Sequence, residues 1–478
     1  MRYEAAFLSP DEQARVHEES LRILAEVGVR VHGDVALPLL AGAGAQVDPG
    51  SRLVTMPRSL VEAALATAPG AFVLGARNPA YDYALPSPVT RFAMDGTAAF
   101  MRDFATGERR YGTRQDIVNA MRILQASDLA VMGWPPVAAN DRPVASRPLH
   151  EFAAMLTSTS KHGQHELHRR DQAPYLGAIL AALAGGEDRV RERHEASVVY
   201  CPVAPLVHDG EMLDAYLDLG AWDVPVTVLP MPVPGTTGPA SLLGNIALAN
   251  AEALSSIVIF QVSRPGRPVV YGSAVGSMDF RSGAFLAGTP EMGIQSAALT
   301  TMGRRYGLPT MGAGCATDAH DTGPEACIEK LITMLPSVSA GTDIVVGYGE
   351  LDGDQTLVLE QILVDNELAH LVLRMFEGVD GRAGAELLGD ITEVGPGGNF
   401  LAMPATRTAA RSGEFYEPAL ISRAPYDAWH ALGKPRMYER ARERVQAILD
   451  APMVDPVPEA TLEELDRILA EADRALAE

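Results

Sequence analysis

The sequence predicts an α/β protein built on a (β/α)8 barrel, with an N-terminal cap before it and a C-terminal helical extension after it. Three observations carry that prediction. Five short apolar runs recur between Ser197 and Asp354: Val198-Val-Tyr-Cys-Pro, Val226-Thr-Val-Leu-Pro-Met-Pro, Val269-Val-Tyr-Gly-Ser, Pro309-Thr-Met-Gly-Ala-Gly-Cys and Ile344-Val-Val-Gly-Tyr-Gly. A continuous apolar run is the mark of a parallel strand buried on both faces. Roughly 30 to 45 residues separate the runs, which is room for the crossover helix that parallel strands require. Two earlier runs, Phe92-Ala-Met-Asp-Gly and Leu129-Ala-Val-Met-Gly-Trp-Pro-Pro, and a segment from Thr157 to Leu167 bring the count to about eight, the number that closes a barrel.

The flanking elements follow from local chemistry. Ser9 is placed as an N-cap, Pro10 in the first turn and Glu12 where it returns a capping-box bond, so a helix runs from there to about Gly28 with Val16, Ile23, Leu24 and Val27 on it. From Val29 to Leu85 short strands and helices alternate around turns such as Asp48-Pro-Gly and Ala68-Pro-Gly. These limits divide the chain into a cap at 1–88, a barrel at 89–400 and a helical extension at 401–478. A helical pattern from Leu357 through Met375 precedes Ile391-Thr-Glu-Val-Gly-Pro-Gly-Gly-Asn-Phe-Leu. The tail predicts helices at about Arg436 to Leu449 and Thr461 to Ala477. The second has a capping box at Thr461 and Glu464 and an apolar stripe, Leu462, Leu465, Ile468 and Leu469, that packs on the barrel or on a second subunit.

Composition narrows the function. With 39 Lys and Arg against 61 Asp and Glu, a net charge of −22 argues against nucleic acid or an anionic membrane as partner, since both need a basic footprint. Cys201, Cys315 and Cys327 are too few for a disulfide framework or a four-thiolate zinc site and fit a reducing cytoplasm. The first ten residues lack the apolar core of a signal peptide, and no segment has 18 uninterrupted apolar residues.

In a barrel of this kind the residues just past the strand ends build the site, and here they are mostly Gly, Pro, Ser, Thr and Tyr. The Walker lysine motif, the dinucleotide fingerprint and the nucleophile elbow are absent, and Gly312-Ala-Gly314 and Gly395-Pro-Gly-Gly398 read as turns. His162, His165 and His168, with Glu166 among them, offer imidazoles for a metal, yet neither helix nor strand geometry converges three nitrogens; a polar cluster at a strand end is the other reading. Asp279-Phe-Arg281 either forks a substrate carboxylate through Arg281 or braces its own loop. Glu360, Asp365, Asn366 and Glu367 read as a helix face. Phe92, Trp134, Tyr200, Tyr271 and Tyr348 each stand near a strand end: singly they are core, but converging on one mouth they would cage a quaternary ammonium.

Several longer motifs resemble one family. Leu229-Pro-Met-Pro-Val-Pro-Gly-Thr-Thr-Gly-Pro-Ala, Ala247 to Ala253, Arg264-Pro-Gly-Arg-Pro-Val-Val-Tyr-Gly-Ser, Met278-Asp-Phe-Arg-Ser-Gly, Leu308-Pro-Thr-Met-Gly-Ala-Gly-Cys-Ala-Thr-Asp-Ala, Leu363-Val-Asp-Asn-Glu and Glu393-Val-Gly-Pro-Gly-Gly-Asn-Phe-Leu are similar to the trimethylamine methyltransferase family, from Leu8 to about Leu449. The resemblance implies a TIM barrel that moves a methyl group from a methylated amine to the cobalt of a corrinoid (cobalamin) held by a separate partner protein, with no cofactor tightly bound to this chain and no metal of its own. Members with pyrrolysine carry it in the loop matching Gly312 to Asp321. Here that loop has ordinary residues, which places the chain with the branch acting on glycine betaine and related quaternary amines.

The expected binding residues are Phe92, Asp95, Trp134, His165, Tyr200, Thr236, Tyr271, Asp279, Arg281, Tyr348 and Asn399, with Gly312, Gly314, Cys315 and Asp318 on a loop facing the corrinoid. No residue is assigned a catalytic role. The hydroxyls of Thr236, Thr237 and Ser273 and the Asn399 amide are able to bind a carboxylate. The chain departs from the family pattern at Asn399 and Ala405, where histidines are expected, and at Tyr348-Gly-Glu-Leu-Asp, where Tyr348 and Glu350 reshape a loop of small residues. The alternatives are a betaine-binding sensor without catalysis and a metal-dependent hydrolase or lyase using the His162 to His168 cluster. A homo-oligomer joined through the tail helix is compatible with both.

Overall fold

The structure is a computed structural model that describes residues 5–379 and 388–477. Eight parallel strands close a barrel: β1 (Arg91–Met94), β2 (Ala130–Gly133), β3 (His162–His165), β4 (Ala196–Tyr200), β5 (Val226–Val228), β6 (Val269–Ser273), β7 (Thr310–Ala313) and β8 (Ile344–Tyr348). Each is followed by a crossover helix: α1 (Arg114–Ala126), α2 (Arg147–Ser158), α3 (Ala173–Ala184), α4 (Gly210–Asp218), α5 (Leu242–Ser263), α6 (Pro290–Arg305), α7 (Pro324–Ser339) and α8 (Leu359–Glu377). All eight predicted runs hold a strand. Closure comes from β8 pairing with β1 in the register Ile344 to Arg91. The first and last strand ends, some 250 residues apart in sequence by the difference of those two numbers, thereby become neighbours.

Apart from the half-buried Arg91 of β1 and Val131 of β2 the strands are buried along their length, β3 included, although its sequence is His-Gly-Gln-His. Its polar groups are satisfied inside. Gln164 accepts a hydrogen bond from Thr227 at 2.7 Å, and His162 bridges the Gly75 carbonyl and the Ser197 hydroxyl, each at 2.8 Å. Gly347 takes φ +133°, and a Cβ there would lie 2.1 Å from the Gly314 carbonyl oxygen of β7's extension. Backbone cannot yield as a side chain does. Gly347→Ala is therefore expected to cost more than about 2 kcal/mol, measured as a lower urea midpoint than the parent's.

The cap begins as the sequence implies, with Ser9 and Glu12 forming a capping box on Pro10–Arg22. That helix and Arg58–Thr67 pack on α5, whose residues from Asn245 to Gln261 are buried. Among the described residues α5 is the one helix long and apolar enough to cross a membrane, and here it is a core helix. The strand Val29–Val31 pairs in parallel with Val207–His208, which tethers the cap beside the end of β4.

After α8, helices Gly389–Val394, Pro404–Ala409 and Tyr426–Ala431 contain no buried residue. Met437–Asp450 packs on α8 and α1, and Glu459–Ala475 packs on α3, burying Leu465, Leu469 and Ala472. Leu465, Ile468 and Leu469 of the tail's apolar stripe are thus used within the chain, while Leu462 stays exposed. That helix starts at Glu459 after Pro458, so Thr461 lies inside its first turn and is not its cap.

Candidate active site

The C-terminal ends of the strands gather carboxylates. Asp95 follows β1 directly, Glu166 follows β3, and Glu350 and Asp354 stand on a hairpin after β8. The hairpin strands Glu350–Leu351 and Thr356–Leu357 pair with each other, and the second pairs with Phe100–Arg102, so the extensions of β8 and β1 form one small sheet. Its turn is pinned to the loop after β7, where Asp352 and Gly353 donate backbone hydrogen bonds to the carbonyls of Ala319 and Thr317 at 2.9 and 3.0 Å. Carboxylate oxygens of Asp95, Glu350 and Asp354 consequently lie within 4.8 Å of one another.

Little in the protein neutralises this triad. Glu350 is 1 % exposed and has no side-chain partner, only the Ala98 backbone N–H that the Pro136 carbonyl also takes, and Oδ1 of Asp354 lacks a hydrogen-bond partner. Asp95 accepts one backbone hydrogen bond, from Gly96 at 3.0 Å. Burial pushes Asp95 up to about 6. Burial and then the charge of Asp95 push Asp354 up to about 8, and the same causes raise Glu350 well above the carboxylate range. Two more groups share the field. Burial raises Glu166, and burial with the Glu166 and Asp95 charges lifts the Cys201 thiol. Lys330 is the nearby cation, but its ammonium is fully buried and committed to Asp365 Oδ2 at 2.9 Å and to the carbonyls of Cys315 and Gly347.

Trp134 borders the triad through Gly96. A Cβ on Gly96 would lie 2.2 Å from the indole nitrogen, so the ring packs flat against the residue next to Asp95. The indole is 1 % exposed and its N–H has no acceptor. Acidic groups and an unpaired aromatic donor, with the nearby Lys330 ammonium already committed to Asp365, make a site that receives a cation; Nδ1 of His165, beside Glu166, is another unpartnered nitrogen at these strand ends. It can bind and orient a cationic substrate, and Asp95 and Asp354, raised toward neutrality, are also able to exchange protons there.

Residues 2–476 match the model of the family described as trimethylamine methyltransferase (MTTB). The chain belongs to the trimethylamine methyltransferase family. It is 30% identical over 468 residues to the trimethylamine methyltransferase MttB of Desulfitobacterium hafniense strain DSM 10664 / DCB-2, covering 98% of this chain and 94% of the relative. It is 31% identical over 461 residues to the glycine betaine methyltransferase of Desulfitobacterium hafniense strain Y51, covering 95% of each. The solved monomethylamine methyltransferase (MtmB) of Methanosarcina barkeri shares the fold, with a TM-score of 0.50 at 12% identity over 99% of this chain and 88% of that one.

In this member of the trimethylamine methyltransferase family most of the expected aromatic cage is turned away from the mouth. Phe92 and Tyr348 stack on each other at 5.3 Å, both fully buried. Tyr200 bonds His208 at 2.9 Å and packs on Tyr216 and Phe260 of the helix layer, and Tyr271 donates to Asn250 of α5 at 2.7 Å. These four are wall residues between barrel and helices. Trp134 is the predicted aromatic that stands beside Asp95.

The other expectations change as well. His165 hydrogen-bonds Glu151 of α2 at 2.8 Å, and His162 is spent on Gly75 and Ser197, so the histidine cluster diverges and the metal-hydrolase alternative loses its ligands. Asp279 accepts from the Arg281 backbone N–H and the Ser282 hydroxyl, bracing an exposed loop, and Thr236 donates to the Val233 carbonyl. Asn399 is exposed and holds the Leu401 N–H at 2.7 Å. On the loop expected to face the corrinoid, Gly312 and Gly314 are backed by Ser296 of α6 and by Thr333 and Ser337 of α7. Cys315 is wholly buried with φ +56°, and Asp318 accepts the Ala287 and Gly288 N–H groups.

Glu350 was legible as a departure in the loop after β8. Glu166 was noted only as the carboxylate among the three histidines, and Asp354 and Cys201 carried no signal of their own as site residues. A cleft of about 790 Å³ opens at the opposite end of the barrel among Arg91, Leu129, His370 and Tyr416, away from the triad.

Proposed function

We propose that this protein takes a methyl group from a quaternary methylated amine and passes it to the cobalt(I) of a corrinoid carried by a partner protein. The reading rests on membership of a family whose named relatives act on methylated amines, and on one structural observation: the strand ends converge three carboxylates whose nearby cation, Lys330, is already paired with Asp365. A quaternary ammonium carries a permanent positive charge and leaves as a neutral tertiary amine. The carbon–nitrogen bond breaks with its electrons going to nitrogen, the methyl carbon bonds to the corrinoid's cobalt, and no proton moves. Such a reaction asks the protein to hold the cation, keep water out and present one methyl group, which is catalysis by positioning and a preorganised field.

Asp95 and Asp354 would stabilise the bound cation, and Trp134 would supply an aromatic wall beside it. The test is anaerobic incubation of the protein with cobalt(I) cobalamin and a panel of quaternary and tertiary amines, following methylcobalamin by absorbance. Methylcobalamin is expected with a quaternary amine and not with trimethylamine. If none forms with any amine while an active relative succeeds under the same conditions, the methyl-transfer reading is overturned.

A further inference from the structure

The geometry points to a substrate that is a net cation without a carboxylate, a choline-like methylated ammonium, bound by Asp95, Glu350 and Asp354. This rests on the reading of the mouth as an amine site and narrows it. The triad is the first ground. Its three carboxylates converge within 4.8 Å, and Glu350 is 1 % exposed with no side-chain partner and only the Ala98 backbone N–H beside it, so the chain meets the charge of this group only in part, through the distant Lys330. The unpaired Trp134 indole N–H, equally buried, is the second and independent ground. It is a neutral donor beside Asp95, suited to a hydroxyl or ether oxygen.

A zwitterion such as glycine betaine would bring its own carboxylate within a few ångströms of these three. Whichever of the three is ionised repels that carboxylate, and binding it would keep protons on the group, whereas a net cation is stabilised as those protons leave. The hydroxyls and the amide expected to receive a carboxylate are spent elsewhere. Thr236 and Thr237 are both hydrogen-bonded to Val233, Asn399 caps Leu401, and Ser273 is buried in β6. Lys330 is held by Asp365 behind the strand ends, and Arg281 lies on an exposed loop.

Isothermal titration of the full chain at about pH 8 with tetramethylammonium chloride, choline chloride and glycine betaine tests this directly. Tetramethylammonium and choline are expected to bind at least about ten-fold more tightly than glycine betaine. Glu350→Gln and Asp354→Asn are each expected to weaken choline about ten-fold or more, with circular dichroism matching the parent. Glycine betaine binding as tightly as choline, or no binding of any of the three at millimolar concentration, would overturn the inference. So would stoichiometric binding of magnesium or manganese that the two variants abolish, which would make the triad a metal site. The titration involves no cobalt. A failure of methyl transfer with the cation preference intact would count against the proposed reaction alone, and methyl transfer from glycine betaine in preference to choline would count against this inference alone.

Discussion

Lys330→Met is expected to cost about 3–5 kcal/mol of stability, and adding Asp365→Leu to recover most of it. Lys330 and Asp365 are both fully buried, joined at 2.9 Å. Burial pulls the ammonium toward neutrality, but the Asp365 carboxylate outweighs it and holds Lys330 protonated. The single substitution leaves Asp365 with the Gly349 N–H at 2.8 Å and the Gln361 amide at 2.7 Å, and no counter-charge. It also frees the Cys315 and Gly347 carbonyls, which the ammonium ties together across β7 and β8. Those strands carry the hairpin of Glu350 and Asp354, so the site should loosen with the core. Urea midpoints of parent, single and double variants give the comparison. Equal stability of parent and Lys330→Met would show that the pair contributes nothing.

The barrel was legible because its strands are covered on both faces and announce themselves as apolar runs. That same property hid the site. In a strand buried on both sides the sequence does not mark which parity faces the barrel axis and which the helices, and a shift of one residue exchanges the two. Tyr200 and Tyr271 therefore read equally well as cage or as wall, and their bonds to His208 and Asn250 place them in the wall. Trp134 escapes the ambiguity because it lies past the last residue of β2, where the strand alternation has ended.

β3 shows the opposite difficulty. Its His-Gly-Gln-His core is polar, and only the count of eight and the neighbouring spacing argued for a strand there. Asp95 and Glu350 were each singled out, but their grouping could not be read, since they become neighbours only through the pairing of β8 with β1. A single sequence records the residues at each strand end but not which ends close on each other.

The affinity of the mouth for a cation is expected to rise with pH by up to about ten-fold per unit for each proton released, chiefly between the values of about 6 for Asp95 and about 8 for Asp354, and to level off above. The facing groups set the sign. Glu350 and Asp318 on the flanking loops and Glu166 after β3 add negative charge or hold protons, Cys201 after β4 stays a thiol, and Lys330 behind the strands is the cation that partly relieves them. A quaternary ammonium adds positive charge and must drive protons off Asp95 and Asp354. Stability should move the other way. Folded Asp354 holds its proton more tightly than at its ordinary value of 3.8, so the folded state binds more protons, and stability is lost as pH rises from near that value to about 8. Asp354→Asn removes this penalty, so its melting temperature should exceed the parent's by a margin that widens from about pH 5 to about pH 8. Titrations of tetramethylammonium at several pH values, with melts of both proteins in the same buffers, read both slopes. A cation affinity that does not change with pH would mean that the carboxylates are already ionised, and that they are paired with a charge other than the substrate's.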